Sequence, residues 1–307
     1  MLNQGQSRKT HTYCLAVLIA LVSAATTIAY AQSTNLDTKS INGAAGKQTS
    51  VEDDGVVRIE WSRDDVPVTV DGMPLPPPAG LGSWAAFKAV PGGVMVMGDT
   101  VVFEDEITPA MDAAFAHGLE VTGLHNHFIF DRPPVYFMHV GGHGEGEAQL
   151  AKGVRAVWDA VKAVREENPT PTERFAGRVP EQTDEIYVAA LKEILDAQPD
   201  IKNGVVKFSF GREAAMHGAP VGESMGLNTW AAFMGNSECA AVDGDFAMTV
   251  EEVQPVMHAL RKAGIHIVAL HNHMIGEAPP YFFLHYWGKG HPEALARGVR
   301  DALDSQR

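Results

Sequence analysis

Two hydrophobic periods alternate along this chain, and they change places in the same order twice. Residues 56–61, Val-Val-Arg-Ile-Glu-Trp, follow a period of two and predict a strand, with a second strand over 66–70. Asp71-Gly72 and the proline-rich stretch 73–78 close it, because proline cannot donate to a sheet ladder. Strands are expected over 83–90 and 94–97, joined by the turn Pro91-Gly92-Gly93. The pattern then moves to helical spacing. Asp105, Glu106 and Pro109 suit a first helical turn, where free N–H groups and the dipole favour acid and proline, and Gly118 suits a C-cap. Strands over 119–129 and 135–140 follow. Residues 148–164 return to helical spacing through Leu150, Val154, Val157, Trp158 and Val161.

This strand-strand-helix-strand-strand-helix unit occurs again. Trp84-Ala-Ala-Phe87 returns as Trp230-Ala-Ala-Phe233, and residues 84–139 align with 230–285 without a gap. Gly98-Asp99 matches Gly244-Asp245, Pro133-Pro134 matches Pro279-Pro280, and Leu124 matches Leu270. Two copies, each with its own strands and helices, predict an α+β fold with mainly antiparallel sheets and a pseudo-twofold, and they argue against a solenoid. The chain divides into a signal peptide at 1–31, a flexible linker at 32–52, a first repeat at 53–165, a connector at 166–200 and a second repeat at 201–307. Pro169 and Pro171 break the chain within the connector, 181–197 reads as a helix, and a strand over 205–210 restarts the second copy.

The N-terminus changes where such a protein would work. Arg8 and Lys9 precede an apolar run over 13–25 and the small-residue pattern Ala29-Tyr30-Ala31, the order of a secretory signal peptide. The run is shorter than the ~20 residues of a membrane span. A periplasmic or secreted protein with no stable membrane insertion is expected. The chain carries 24 Lys and Arg against 38 Asp and Glu, and cleavage would remove two basic residues and no acidic one. A surface this acidic repels phosphate backbones, which excludes nucleic acid as a partner class. Of the two cysteines, Cys14 lies in the signal segment, so Cys239 has no internal partner. It stands where the first copy has Gly93, as a small buried residue would.

The candidate chemistry lies in the histidines. His125, His127 and His139 recur 146 residues later as His271, His273 and His285. Residues i and i+2 of a strand share a face, so each His-Asn-His projects two imidazoles together, with Ile267 and Ala269 behind them in the second copy. A turn after each pair brings the third histidine back alongside, with Asp131 or Glu277 in the loop as a fourth donor. Three neutral imidazoles and a carboxylate suit Zn, Cu, Fe, Ni or Mn. The spacing also matches the local order of a cupin metal site, although helices interrupt each copy where a jelly roll would have none. Three uses remain open: binding of a transition metal or small ligand, a metal-dependent hydrolase acting on an envelope substrate, and a purely hydrogen-bonded brace. Paired imidazoles also act as acid and base in two-histidine phosphoesterases, but there a hydroxyl residue stands where His127 and His273 stand here.

Around the histidines, Tyr281, Phe282, Phe283, Tyr286 and Trp287 form core or an aromatic wall for a small ring. The glycine-rich stretches at 141–144 and 288–292 read as tight turns, and Asp99 and Asp245, each after a glycine, as turn formers. The blocks Gly226-Leu-Asn-Thr-Trp-Ala-Ala-Phe233, Val242-Asp-Gly-Asp-Phe246, Ala269-Leu-His-Asn-His-Met274 and Phe283-Leu-His-Tyr-Trp-Gly288 resemble the LppY/LpqO family of exported lipoproteins. That resemblance spans nearly all of residues 53–307. It implies export and a domain of unknown function, with no catalytic residues to carry over. No cysteine stands at the cleavage point, so it does not extend to a lipid anchor.

Overall fold

The computed structural model describes residues 36–181 and 188–306. The signal peptide with Cys14, the first residues of the linker and the start of the helix expected over 181–197 lie outside the described residues.

The first half opens with α1 (Thr38–Ala45), β1 (Ser50–Val51) and β2 (Val57–Ser62), followed by a small hairpin, β3 (Thr69–Val70) and β4 (Met73–Pro74). Its body is β5 (Gly82–Val90), β6 (Gly93–Phe103), α2 (Ile107–Ala116), β7 (Glu120–Asn126), β8 (Asp131–Arg132), β9 (Val135–Gly144) and α3 (Glu147–Glu167). The second half begins with α4 (Val188–Leu195), β10 (Asp200–Lys202) and β11 (Val205–Gly211), then the hairpin β12 (Ala214–Met216) and β13 (Ala219–Val221). It continues with β14 (Asn228–Gly235), β15 (Ala240–Met248), α5 (Val253–Lys262), β16 (His266–His271), β17 (Phe282–Gly290) and α6 (Pro292–Asp304).

Both halves join in one antiparallel sheet, in the order β1-β2-β5-β6-β9-β7-β16-β17-β15-β14-β11-β10. The second six strands repeat the first six in reverse. At the centre Leu124 of β7 pairs with Leu270 of β16. These are equivalent residues of the two copies, so the pseudo-twofold passes between them. The α+β duplication expected from the sequence is therefore the architecture.

Helices cover one face of the sheet. Leu124, Met138, Val140, Leu270, Leu284 and Tyr286 meet Met111, Val157, Met257 and Val299 in a single core shared by both halves. The other face is covered only towards its ends. Val66, Val68 and Leu81 pack on Val101, Phe103, Val135 and Phe137 in the first half. Val221 and Leu227 pack on Ala247, Tyr281 and Phe283 in the second. Between these two arms the middle of the sheet stays open.

Two boundaries differ from the sequence reading. The segment read as a flexible linker contains α1, whose Ile41 and Ala45 are buried in the main core. Its composition is small and polar, but Asp37 caps it through the Lys39 amide and Gly46 ends it at φ 65°. The helix read as a connector is α4, the equivalent of α1, with Leu191 and Leu195 buried in the same core. Each repeat thus starts one helix earlier than its hydrophobic blocks suggest.

Candidate metal centre

The histidine strands depart from simple alternation at one residue. The register of β7 slips between Val121 and Gly123, and that of β16 between Ile267 and Ala269, so Thr122 and Val268 are bulged. Strict alternation would group Ile267, Ala269 and His271 on one face. The bulge instead turns Val121 and Ile267 to the helices along with Leu124 and Leu270, and sends His125 and His271 to the open face. This corrects the expected facing of Ile267. Its physical signal, an extra residue in one strand, is invisible without the partner strand.

Two rows of side chains then cross the open face. Trp84 stands opposite Asp99, Asp99 opposite His139, and His139 opposite Gly123. Likewise Trp230 stands opposite Asp245, Asp245 opposite His285, and His285 opposite Ala269. Extending the Leu124–Leu270 pairing by one residue each way sets His271 beside Gly123 and His125 beside Ala269. Each row therefore runs from the tryptophan of one half to a histidine of the other.

In the second half the imidazoles converge. One ligand atom from each of His271, His273 and His285 lies within 4.8 Å of the others. The ring centroids of His271 are 5.1 Å from those of His273 and 5.0 Å from those of His285. His271 Nδ1 faces the Asn272 carbonyl at 3.2 Å and His285 Nδ1 faces the Gly244 carbonyl at 3.4 Å. A carbonyl only accepts, so both Nδ1 atoms carry the proton and both Nε2 lone pairs are free for a metal. His273 lies beyond the end of β16, stacked on Phe283 with centroids 3.5 Å apart. Asn272 shapes that loop by donating to the Met274 carbonyl at 2.9 Å.

The first half is built alike but closed differently. His127 stacks on Phe137 at 3.3 Å, and Asn126 donates to the Phe128 carbonyl at 2.7 Å. His125 Nδ1 faces the Asn126 carbonyl at 3.2 Å, which leaves its Nε2 as an acceptor. That acceptor takes a hydrogen bond from His139 Nε2 at 2.9 Å.

The carboxylates at the centre are Asp99 and Asp245, read from the sequence as turn formers. They lie inside β6 and β15, only 7% and 3% exposed. Asp245 Oδ2 is 3.5 Å from His273 Nε2, while Oδ1 of both aspartates is buried without a hydrogen-bond partner. Burial pushes the Asp245 carboxyl up, against the pull of His285 and His271, and pushes Asp99 up against His139, His127 and His125. Burial, with repulsion from neighbouring imidazoles, holds His127 and His273 below the usual histidine range. A cation among these groups would favour the ionised carboxylate and the neutral imidazole together.

The predicted fourth donors go elsewhere. Asp131 accepts from the Val135 amide at 2.6 Å and Glu277 from the Tyr281 amide at 3.0 Å, each stapling a loop that contains a cis proline, Pro133 or Pro279. Among the described residues neither joins the converging imidazole atoms. A loop carboxylate four residues beyond a histidine returns to its own backbone, whereas one on the neighbouring strand faces the rings. Asp99 and Asp245 share the 146-residue offset of the histidines, as Asp131 and Glu277 do, so spacing alone does not separate the two pairs. Of the aromatic residues, Tyr281, Phe283 and Tyr286 are buried, and Tyr286 Oη donates to the Trp230 carbonyl at 3.0 Å. Cys239 is buried and unpaired. No helix among the described residues is long and apolar enough to cross a membrane.

Comparison with known proteins adds a family and little else. No curated protein matches the chain. It is similar to the trimeric bacterial microcompartment shell protein PduB at 11% identity, covering 84% of this chain and 89% of that one, with a TM-score of 0.19. Its similarity to EtuB from Clostridium kluyveri is 12% identity over the same shares, also with a TM-score of 0.19. Likenesses this distant carry no argument. The family match falls on residues 39–160 and 189–305, one segment in each half and each beginning at α1 or α4. The chain belongs to the family described as Domain of Unknown Function (DUF1259).

Proposed function

We propose that this is an exported metal-binding protein of the LppY/LpqO type, working in the periplasm or outside the cell. It holds a divalent first-row transition ion on His271, His273 and His285, with Asp245 as fourth donor. The observation that carries this reading is the convergence of three ring nitrogens within 4.8 Å. Ligands at about 2.0–2.1 Å from a tetrahedral ion sit roughly 3.4 Å apart, so small ring rotations complete the set. Two of the three Nδ1–H groups already face backbone carbonyls, the arrangement that orients metal-bound histidines. The buried, unpartnered Oδ1 of Asp245 adds a negative charge that an ion would compensate.

Elemental analysis of the mature protein, purified without chelator, tests this. About one equivalent or more of a transition metal is expected in the parent protein, falling by about one equivalent in the His271→Ala/His273→Ala variant. Less than about a tenth of an equivalent in the parent, with no uptake on titration, overturns the reading.

A further inference from the structure

We infer that the first half holds a second ion of the same class, on His125, His139 and Asp99, on the same face of the sheet. This rests on the metal reading of the second half. Three observations carry it. The rows are pseudo-symmetric, so Asp99 opposes His139 as Asp245 opposes His285. Asp99 is buried with its Oδ1 unpartnered, on the strand position opposite His139. His125 Nε2 and His139 Nε2 already stand 2.9 Å apart, close to the ~3 Å between two ligands at a right angle on an ion with bonds of about 2.1 Å.

The two sites differ in readiness. His271 and His285 hold their protons on Nδ1, away from the site. In the first half only His125 does so, and His139 spends its Nε2–H on the bond to His125. An ion can enter there only after that bond breaks and the His139 proton moves to Nδ1 or leaves. A neighbouring residue accounts for the contrast. A Cβ placed on Gly123 would lie 3.2 Å from His139 Cδ2, tight enough to shift the ring. The second half carries that Cβ on Ala269, opposite His285.

The first-half site should be roughly two- to tenfold weaker for the lost hydrogen bond.

Titration calorimetry of the mature, chelator-treated protein with Zn²⁺, and Co²⁺ absorption as a second readout, tests the inference. Two equivalents per chain in two phases are expected. His125→Ala/His139→Ala should lose the weaker phase alone, and His271→Ala/His285→Ala the tighter phase alone. His125→Gln/His139→Gln, which keeps side-chain volume, should repeat the first result if the alanine pair unfolds. One equivalent in the parent, removed by the second-half variant and untouched by the first, overturns the second site and leaves the first reading standing. Two equivalents unaffected by either first-half variant also overturn it. No uptake at all overturns both.

Discussion

The two halves of this protein share a frame and differ in how they settle charge inside it. The sheet order, the bulge at Thr122 and Val268 and the tryptophan-aspartate-histidine rows recur in both. Below that frame they part. In the first half Glu106 is fully buried between Arg63, at 2.8 Å, and Arg165, at 2.7 Å. Among the described residues of the second half, the equivalent Glu252 meets Arg212 at 2.9 Å, partly open to solvent, and Gln306 at 3.2 Å, with no second arginine. The first half thus pairs Glu106 with two buried arginines and His125 with His139, while Asp99 Oδ1 stays without a partner as Asp245 Oδ1 does. In the second half Glu252 keeps one arginine, and ligand atoms of His271, His273 and His285 converge within 4.8 Å.

The largest effect expected from breaking this contrast is on stability. Glu106→Ala removes the buried carboxylate that two buried guanidinium groups share, leaving Arg63 with Asp65 and Arg165 with Asp105, and should cost about 3–5 kcal/mol. Glu252→Ala frees one arginine that still reaches water and should cost about 1–3 kcal/mol. Urea unfolding of both variants measures the difference. Equal losses would mean that the two halves are not differently compensated.

A smaller effect separates binding from folding. Asp245→Asn removes a buried charge whose Oδ1 has no partner, so the metal-free protein should keep or gain stability, by about 1 kcal/mol at pH 7. The sign follows from the raised carboxyl: the folded protein disfavours the ionised form that predominates at neutral pH. Metal affinity should fall by about 10- to 100-fold in the same variant. Thermal melts with chelator and with Zn²⁺ read both at once. A variant that loses stability without metal and keeps its affinity would make Asp245 a structural residue only.

How far the sequence foretold this molecule depends on whether a feature is local or lies across strands. The gapless alignment and the change from period two to helical period revealed the duplicated unit, and the 146-residue offset pointed to all six histidines. Loop proximity along the chain drew attention to Asp131 and Glu277 and away from the buried carboxylates of β6 and β15. The pairing of Asp99 with His139 exists only once β6 and β9 lie side by side. Similarly, α1 hides in a small, polar segment, since two buried apolar residues and two caps suffice when α3 supplies the packing surface. The unequal tautomers of His139 and His285 were out of reach for the same reason, because they follow from which acceptor each ring meets.

The smallest effect concerns the seam between the halves, where symmetry also fails. His266 of β16 meets Thr108 Oγ1 of the first half at 2.8 Å and stacks on Phe175 at 3.8 Å. Its first-half equivalent is Glu120, which is exposed. Burial, then repulsion from Arg261, pushes the His266 imidazole down to about 4. The unfolded ring titrates near 6.5. Above that pH both states are neutral and the contact contributes in full. As pH falls from about 6.5 towards 4 the unfolded chain takes up a proton that the folded one refuses, and stability drops. Because part of the ring reaches solvent, the loss between pH 7 and 5 should be about 1 kcal/mol. His266→Gln has no such proton to gain. Its stability should therefore fall less than the parent's over that interval in urea titrations, and parallel pH profiles would show that the seam carries no buried neutral histidine.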